Sequence, residues 1–237
     1  MNSSDNKPVA LVTGVGPGTG SALVRCFVAG GYRVAMLARD ASRLAALEAE
    51  LPAARAFVCD VTDSAAVEAT MARVRVELGI PAVLIHNAVA GGRGSFLDMD
   101  PALLERGFQV NVMALLHLAR ALAPDMIAAG SGAIIVTGNT SSQRGRAPFA
   151  GLAPTKAAQR ILCESMAREL GPQGVHVAYV VIDAVIDVPW TRRAFAGQPD
   201  SFFMQPAAIA GEVWHLAHQD SSAWSFLHEL RPFGETW

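Results

Sequence analysis

A glycine-rich segment near the start of the chain has the composition of a phosphate-binding turn. Residues 13–20 read Thr-Gly-Val-Gly-Pro-Gly-Thr-Gly, between an apolar run and a helical pattern. Glycines at such a place allow a tight turn and close approach of the backbone to a diphosphate, and the following helix N-terminus favours its charge. Loops without a ligand contain similar strings, but the placement favours a dinucleotide site. The candidate binding residues here are Gly14, Pro17, Gly18, Thr19 and Gly20.

The elements that must position this turn follow from alternating patterns along the chain. Short apolar runs predict strands at residues 9–13, 32–38, 56–59, 82–86, 133–137 and 175–182, with a short last strand near 225–230. Helical patterns lie between them, near residues 19–29, 42–51, 62–79, from 101 onward, at 151–170 and at 206–218. This β-α-β order requires right-handed crossovers. It predicts an α/β fold with a Rossmann-like, doubly wound parallel sheet.

Composition limits the classes of function. At 237 residues and 51% hydrophobic content the chain suits one domain, predicted over residues 8–237 after a disordered lead-in at 1–7. A formal charge of -2 gives no basic surface for nucleic acid, and no continuous apolar run predicts a membrane span. The polar start lacks a secretory signal and the three cysteines are widely spaced, so we expect a cytoplasmic protein. No Cys/His spacing predicts a metal site.

The spacing T-G-x-x-x-G-x-G of segment 13–20 resembles the short-chain dehydrogenase/reductase family. Residues 59–63 and 86–89 resemble further motifs of that family, in its order and at its intervals, so the resemblance covers nearly the whole chain. Asn87 and Ala88 fit the second motif, whereas His86 and Val89 depart from it. The resemblance implies an oxidoreductase that transfers hydride between a nicotinamide dinucleotide and a small carbonyl or alcohol substrate. It also implies assembly as a homodimer or homotetramer.

The resemblance assigns further cofactor contacts by position. Asp60 takes the place of the acidic residue that contacts the adenine ring, although it also suits a helix-capping turn. Ile186 takes a place beside the nicotinamide ring, and Lys156 one beside the nicotinamide ribose. The remaining contacts that the family pattern implies are Val61, Asn87 and Ala88.

Arg39 bears on the choice of cofactor. It follows the second predicted strand, where a carboxylate would accept hydrogen bonds from the ribose hydroxyls of NAD. A guanidinium at this place can pair instead with the 2′-phosphate of NADP. Asp40 follows directly and equally suits a helix cap. We favour NADP(H) over NAD(H).

The catalytic residues of the family are only partly present. The family uses a tyrosine four residues before its lysine, and a serine thirteen residues before that tyrosine. Counting back from Lys156 puts Leu152 at the tyrosine position and Asn139 at the serine position. A leucine has no proton to give. We expect neither Tyr32 nor Tyr179 to reach the site.

Other polar groups must then supply the hydrogen bond or proton that a developing alkoxide needs. Asn139 can donate through its amide, and Lys156 can act as an acid if burial lowers its pKa; the lysine equally suits cofactor binding alone. Asn111 matches the family's active-site asparagine, with a purely structural role as the alternative. Asp183 is either a functional acid or a loop-bonding residue. The candidate catalytic residues are Lys156, Asn111 and Asn139.

Two functions therefore fit these residues. The first is an NADP(H)-dependent short-chain oxidoreductase with an atypical active site. The second is a catalytically weak or inactive nicotinamide-dinucleotide-binding protein, a sensor or a partner subunit. Non-redox chemistry on the same scaffold is a third reading with no residue in its favour. Residues 91–98 and 189–205 are predicted to cover the substrate pocket.

Overall fold

The predicted strands pair side by side into one parallel sheet. The structure, a computed structural model, describes residues 7–234, so the predicted lead-in lies almost wholly outside the described residues. The sheet has seven strands in the order β3-β2-β1-β4-β5-β6-β9. Every neighbouring pair is parallel. The strands are β1 (Val9–Thr13), β2 (Arg33–Ala38), β3 (Ala54–Val58), β4 (Pro81–His86), β5 (Gly132–Asn139), β6 (Val175–Ile182) and β9 (Leu227–Leu230).

Helices connect these strands and cover both faces of the sheet. Asp40, Asp63 and Asp100 each cap the helix that follows, because their carboxylates accept from backbone N–H groups of the first turn. The helices are α1 (Thr19–Ala29), α2 (Ala41–Glu50), α3 (Ser64–Glu77), α4 (Pro101–Phe108), α5 (Ala114–Ala129), α6 (Ala153–Leu170), α7 (Pro189–Ala194) and α8 (Pro206–Ala217). The expected single-domain α/β architecture is confirmed.

A large hydrophobic core lies on each face of the sheet. Helices α3, α5 and α6 pack on one face, with Met71, Leu118 and Cys163 buried there. Helices α1, α2 and α8 pack on the other, with Phe27 and Val213 among the buried residues. All eight residues of β6 are buried, as expected for a central strand covered on both faces.

The long helical region after Asp100 contains a feature that its apolar pattern did not predict. A π-helical turn at Gln109–Met113 separates α4 from α5. In residues 7–234, the stretch Pro101–Ala129 is long and apolar enough to cross a membrane by length and composition. The sequence had predicted no such run. Core helices share these properties, and here Leu115 and Leu122 are completely buried against the sheet.

The fold also contains a small two-stranded sheet that the sequence did not predict. Its strands, β7 (Val185–Ile186) and β8 (Phe203–Met204), are parallel. They bracket α7 and hold the segment after β6 above the main sheet. The strand order of the main sheet reverses beside β1, between its neighbours β2 and β4. Ligands of doubly wound folds bind outside the carboxyl ends of the strands at such a reversal.

Candidate active site

A cavity of about 820 Å³ opens at this reversal. The glycine-rich turn, the ends of β2 and β4 and the segment after β6 surround it. Eleven residues predicted to bind a cofactor line it: Gly14, Pro17, Gly18, Thr19, Gly20, Arg39, Asp60, Val61, Asn87, Ala88 and Ile186. Lys156, the twelfth, is outside this lining, as are Asn111 and Asn139.

The glycines of the turn are required by close backbone contacts. Gly14 has φ +68°, and a Cβ there would lie 2.6 Å from the backbone of Ala88. A Cβ on Gly20 would lie 2.4 Å from the carbonyl oxygen of Gly14, so helix α1 begins in direct contact with the turn. A Cβ on Gly18 would lie 2.6 Å from Cγ1 of Val188, so the segment after β6 touches the turn from above.

Asn87 joins three strands at the floor of the cavity. Its Nδ2 donates to the carbonyl oxygen of Gly14 at 2.9 Å, and its Oδ1 accepts from Oγ1 of Thr137 at 3.0 Å. Its backbone N–H donates to Oγ1 of Thr13 at 3.2 Å. These bonds fix the turn relative to β4 and β5.

His86, which departs from the family pattern, is a buried neutral bridge. Its Nε2 donates to the carbonyl oxygen of Val110 at 3.2 Å, because a carbonyl can only accept. Its Nδ1 therefore accepts from Oγ1 of Thr13 at 3.1 Å. Burial, with the positive charge of Lys156 nearby, lowers the pKa of His86 to about 3. The ring thus links the turn to the π-helical region without carrying charge.

Arg39 and Asp40 separate clearly in the structure. Asp40 caps α2: its Oδ1 accepts from the backbone of Arg43 at 3.0 Å and from Oγ of Ser42 at 2.8 Å. Its Oδ2 pairs with the Arg43 guanidinium at 2.9 Å. These bonds hold the pKa of Asp40 below its usual value, the bond from the Arg43 backbone most strongly. Arg39 lines the cavity.

Asp60 lines the same cavity while it holds its own turn. Its Oδ1 accepts from the backbone N–H of Thr62 at 3.0 Å and from the Thr62 hydroxyl at 2.8 Å. The backbone bond is the main reason why the pKa of Asp60 lies below its usual value. Both bonds use Oδ1, so the capping and ligand-binding roles considered for Asp60 are compatible.

The catalytic candidates occupy a different environment, in which polar groups bond to one another. Asn139 caps a short 3-10 turn, since its Oδ1 accepts from the backbone of Ser141 at 3.0 Å. Ser141 and Ser142 line a separate groove of about 560 Å³. Leu152 packs against Gly91, where a Cβ would lie 2.7 Å from Cδ1 of the leucine.

Asn111 is buried within the π-helical turn and has all its side-chain atoms engaged. Its Oδ1 accepts from the backbone of Ala90 at 3.0 Å. Its Nδ2 donates to the Ala90 carbonyl at 2.7 Å and to Oγ1 of Thr155 at 2.8 Å. The side chain therefore anchors the loop after β4, in agreement with the structural alternative.

Lys156 extends into the interior rather than into the cavity. Its Nζ donates to the carbonyl oxygen of Thr137 at 3.1 Å and to Oε1 of Gln159 at 2.8 Å. Only 2% of the residue is exposed. Burial lowers its pKa to about 8.

Neither Tyr32 nor Tyr179 lines the cavity, although Tyr179 lies beside the buried Lys156 and Gln159. The Tyr179 hydroxyl donates toward Oε1 of Gln159 at 3.3 Å, and lies 3.4 Å from the carbonyl oxygen of Lys156. The ring fits under Gly138, where a Cβ would be 2.2 Å from it. The phenol is completely buried and outside the cavity lining, and burial raises its pKa. Tyr32 bonds to His218 near α8.

A clasp of charged groups holds the segment above the cavity. The Arg192 guanidinium donates to both oxygens of Asp187 and to Asp200, and it stacks on Phe203. Val188, Trp190, Thr191 and Phe195 of this segment line the cavity. Part of the predicted 189–205 lid therefore covers the site.

Asp183 follows β6 and pairs with Arg231. This contact favours the loop-bonding role over that of a functional acid. Within residues 7–234 no group of three or more His, Cys, Asp or Glu side chains is placed to hold a metal ion.

Sequence patterns missed Gln159. It lies on the buried face of α6 at helical spacing, between Lys156 and Cys163, and is completely buried. Two polar residues at the head of an otherwise apolar helix face must satisfy each other or nearby backbone groups. That spacing is the signal which would have identified the pair.

Comparison with known proteins identifies relatives over most of the chain. The sequence profile of the short chain dehydrogenase family matches residues 8–197. A D-erythrulose reductase of Gallus gallus is 36% identical over 71% of this chain and 67% of its own. An L-xylulose reductase of Bos taurus is 32% identical over 79% of this chain and 75% of its own.

Solved structures agree with these relatives. A metagenomic short-chain oxidoreductase in complex with NADP is 33% identical, with a TM-score of 0.82, over 97% of this chain and 99% of its own. A short-chain dehydrogenase from Streptomyces avermitilis is 28% identical, with a TM-score of 0.86, over 95% of this chain and 89% of its own. The similarity therefore extends beyond residue 197 to almost all of the fold.

Proposed function

This chain belongs to the short-chain dehydrogenase/reductase family, and on that premise we propose that it is an NADP(H)-dependent oxidoreductase acting on a small carbonyl or alcohol. One observation carries the proposal: the glycine turn, Arg39 and Asp60, predicted separately from sequence, line one cavity at the strand-order reversal. A cofactor bound there would supply or accept the hydride. The chain's own residues bind it, orient it and control the proton.

The preference for NADP(H) rests on the ends of β2 and α2. A carboxylate that selects NAD must accept from two ribose hydroxyls, whereas Asp40 already accepts from Ser42 and the backbone and pairs with Arg43. Arg39 and Arg43 both line the cavity beside it. Two guanidinium groups suit the planar oxygens of a 2′-phosphate.

The remaining cavity residues have proposed roles by position. Asp60 and Val61 receive the adenine ring, and the glycine turn receives the diphosphate at the α1 N-terminus. Asn87 and Ala88 support the turn from below, and Ile186 packs on the nicotinamide ring.

The proposed active site is atypical because Leu152 and Asn139 stand where the family has its tyrosine and serine. Lys156, Asn111 and Asn139 are the proposed catalytic group. The polar atoms of these three side chains bond to nearby protein groups, namely Ser141, Ala90 and Gln159, and do not line the cavity. A proton must therefore come from Lys156, from an amide-held water or from the substrate.

The residues that line the cavity also favour a second function. None of the described cavity-lining residues carries a phenol. A protein that binds NADP(H) tightly with little turnover, acting as a sensor or as a partner subunit, fits this lining. We propose it as the alternative. Both functions are proposed for the cytoplasm and for a homodimer or homotetramer.

Cofactor titration tests what the two functions share. We expect NADPH to bind more tightly than NADH, and Arg39→Ala to weaken NADPH by about tenfold to hundredfold, since a charged hydrogen bond contributes roughly 1.5–3 kcal/mol. NADH affinity should change little. Arg55→Ala is the control, because Arg55 of β3 pairs with Glu48 of α2 and is outside the cavity lining. Absence of binding by either nucleotide rejects both functions.

Absorbance of the reduced nicotinamide then separates the two. Turnover of any ketone, aldehyde or alcohol by the wild-type protein that Lys156→Ala abolishes supports the oxidoreductase. Tight binding without turnover across the panel supports the alternative.

A further inference from the structure

The group of buried polar residues around Lys156 contains a member that the proposed function does not use. The chain has two lysines, Lys7 and Lys156, and its other basic residues apart from histidine are arginines. Lys156 is buried, and none of the salt bridges among residues 7–234 includes it. A buried ammonium needs other polar groups to replace its lost water.

Gln159 supplies one of these groups and connects it to the π-helical turn. Its Oε1 accepts from Nζ of Lys156 at 2.8 Å, while its Nε2 donates to the main-chain oxygen of Asn111 at 2.6 Å. The carbonyl of Thr137 accepts a second Nζ hydrogen at 3.1 Å. The lysine is thus tied to both β5 and the turn.

The partners fix the orientation of the amide. A reversed Gln159 would place its NH₂ against an ammonium and its oxygen against a carbonyl, so neither bond would form. The Tyr179 hydroxyl approaches the same Oε1 at 3.3 Å, which the observed orientation also permits. A π-helical turn shifts backbone bonding along the helix, and such turns are frequent at functional sites.

We propose that Gln159 is a positioning residue: it holds the Lys156 ammonium at Thr137, whose hydroxyl bonds to the cavity-lining Asn87, and leaves one Nζ hydrogen for a ligand bound above this floor. An ammonium has three donors, and Thr137 and Gln159 use two of them. The assignment of that third donor to a bound nicotinamide dinucleotide rests on the proposed function.

The other titratable groups around Lys156 do not account for its charge. Cys163 lies on the same helix, Tyr179 on β6 and His86 at the end of β4. Burial raises the pKa of the Cys163 thiol and of the Tyr179 phenol, and lowers that of His86 to about 3. All three are neutral at pH 7, so the dipoles of Gln159 and Thr137 are what stabilises the ammonium.

NMR titration of the free protein tests the proposal directly. Labelling with ¹³C-lysine gives side-chain signals from Lys7 and Lys156 alone, and Lys7→Arg identifies the second. We expect the Lys156 pKa near 8 in the wild-type protein. Gln159→Leu removes the acceptor and should lower it by about one unit or more, whereas Gln159→Glu adds a negative partner and should raise it by a similar amount.

Opposite shifts in these two variants are a result that a merely space-filling glutamine does not produce. A Lys156 pKa that stays within about 0.3 units of the wild-type value in both variants overturns the proposal. Melting temperatures verify that each variant folds. If the leucine variant does not fold, Gln159→Asn, which is too short to reach Nζ, replaces it with the same expected direction.

A second measurement relates the positioning to ligand binding. NADPH affinity should fall as Lys156 loses its proton, near pH 8 in the wild-type protein and at lower pH in Gln159→Leu. Failure of the wild-type protein to bind NADPH rejects the proposed function but leaves the lysine titration intact. Normal NADPH binding with an unchanged pH profile in the variant rejects the role of Gln159 toward the ligand.

Discussion

The two ends of the candidate site treat their polar groups in opposite ways. Around the glycine turn, Arg39 and Asp60 line an open cavity. Asp60 holds its own turn through Oδ1, so these bonds do not involve Oδ2. Around Lys156, the Asn111 side chain donates to Thr155, and the Gln159 side chain donates to the main-chain oxygen of Asn111. The first end has polar groups open to a ligand, whereas the second is bonded within the protein apart from one Nζ hydrogen of Lys156.

Under the proposed function, this difference assigns nucleotide binding and turnover to separate parts of the molecule. A polar group that faces a cavity gains a partner when a ligand enters. A buried network that is fully bonded stabilises one arrangement, and any group that leaves it abandons a partner in a medium of low polarity. We therefore expect nucleotide binding to be robust and proton transfer to be the step that limits activity.

The largest expected effect comes from restoring an acid at the second end. Leu152→Tyr together with Asn139→Ser should raise carbonyl reduction with NADPH by about a hundredfold or more, the usual contribution of a positioned general acid. Steady-state rates measure the gain.

Leu152→Phe with Asn139→Ser is the matched control, since it adds the ring without the hydroxyl. Equal rates in the phenylalanine and tyrosine variants would show that the missing phenol does not limit turnover.

An intermediate effect is expected at the first end. A methyl group on Gly20 would lie 2.4 Å from the Gly14 carbonyl oxygen, so Gly20→Ala must push α1 away from the turn. Overpacking of this kind costs about 1–3 kcal/mol. We expect NADPH affinity to fall by about tenfold or more, measured by fluorescence titration.

Gly211→Ala provides the comparison for this variant. Gly211 lies in α8 with no atom within 4 Å of an added Cβ, so alanine should raise the melting temperature and leave NADPH affinity unchanged. Unchanged affinity in Gly20→Ala as well would mean that the turn does not bind the nucleotide.

The smallest expected effect concerns the clasp above the cavity. Asp187→Asn removes the charge that Arg192 binds, and should weaken NADPH only a few-fold because the pair is partly exposed. Bonds from Arg192 and Gln205 lower the pKa of Asp187 to about 2. A carboxylate whose pKa is lowered by folding stabilises the folded state at pH values above its unfolded pKa of 3.8. That stabilisation is lost as pH falls toward 2.

The difference in unfolding free energy between wild type and Asp187→Asn should therefore be constant from pH 5 to 8 and decline below about pH 4, as pH falls toward 2. Glu48→Gln, which breaks the Arg55 pair on the far edge, is the control. A difference that changes near neutral pH would assign the effect to another group.

The first end of the site was largely readable from sequence, and the second was not. Strand positions and the glycine turn follow from local patterns, so the cavity lining could be predicted by residue. The closed network depends on Gln159, Tyr179 and Gly138, which come from three elements and meet only after the sheet assembles. Their side chains carry no local signal of that meeting, apart from the helical spacing of Lys156 and Gln159.

The small sheet of β7 and β8 was missed for a related reason. Two-residue strands are too short for a periodic pattern, and their pairing is fixed by the Arg192 clasp between them. Similarly, the apolar pattern of Pro101–Ala129 predicted a continuous helix because apolar residues continue through the π-helical turn at Gln109–Met113.

The contact between Val188 and Gly18 joins two parts of the cavity rim. The two residues touch across the cavity rim, one from the segment after β6 and one from the glycine-rich turn. Because Gly18 has no side chain, the segment after β6 can approach the glycine-rich turn at this point, and any larger residue at position 18 would push the two sides of the rim apart.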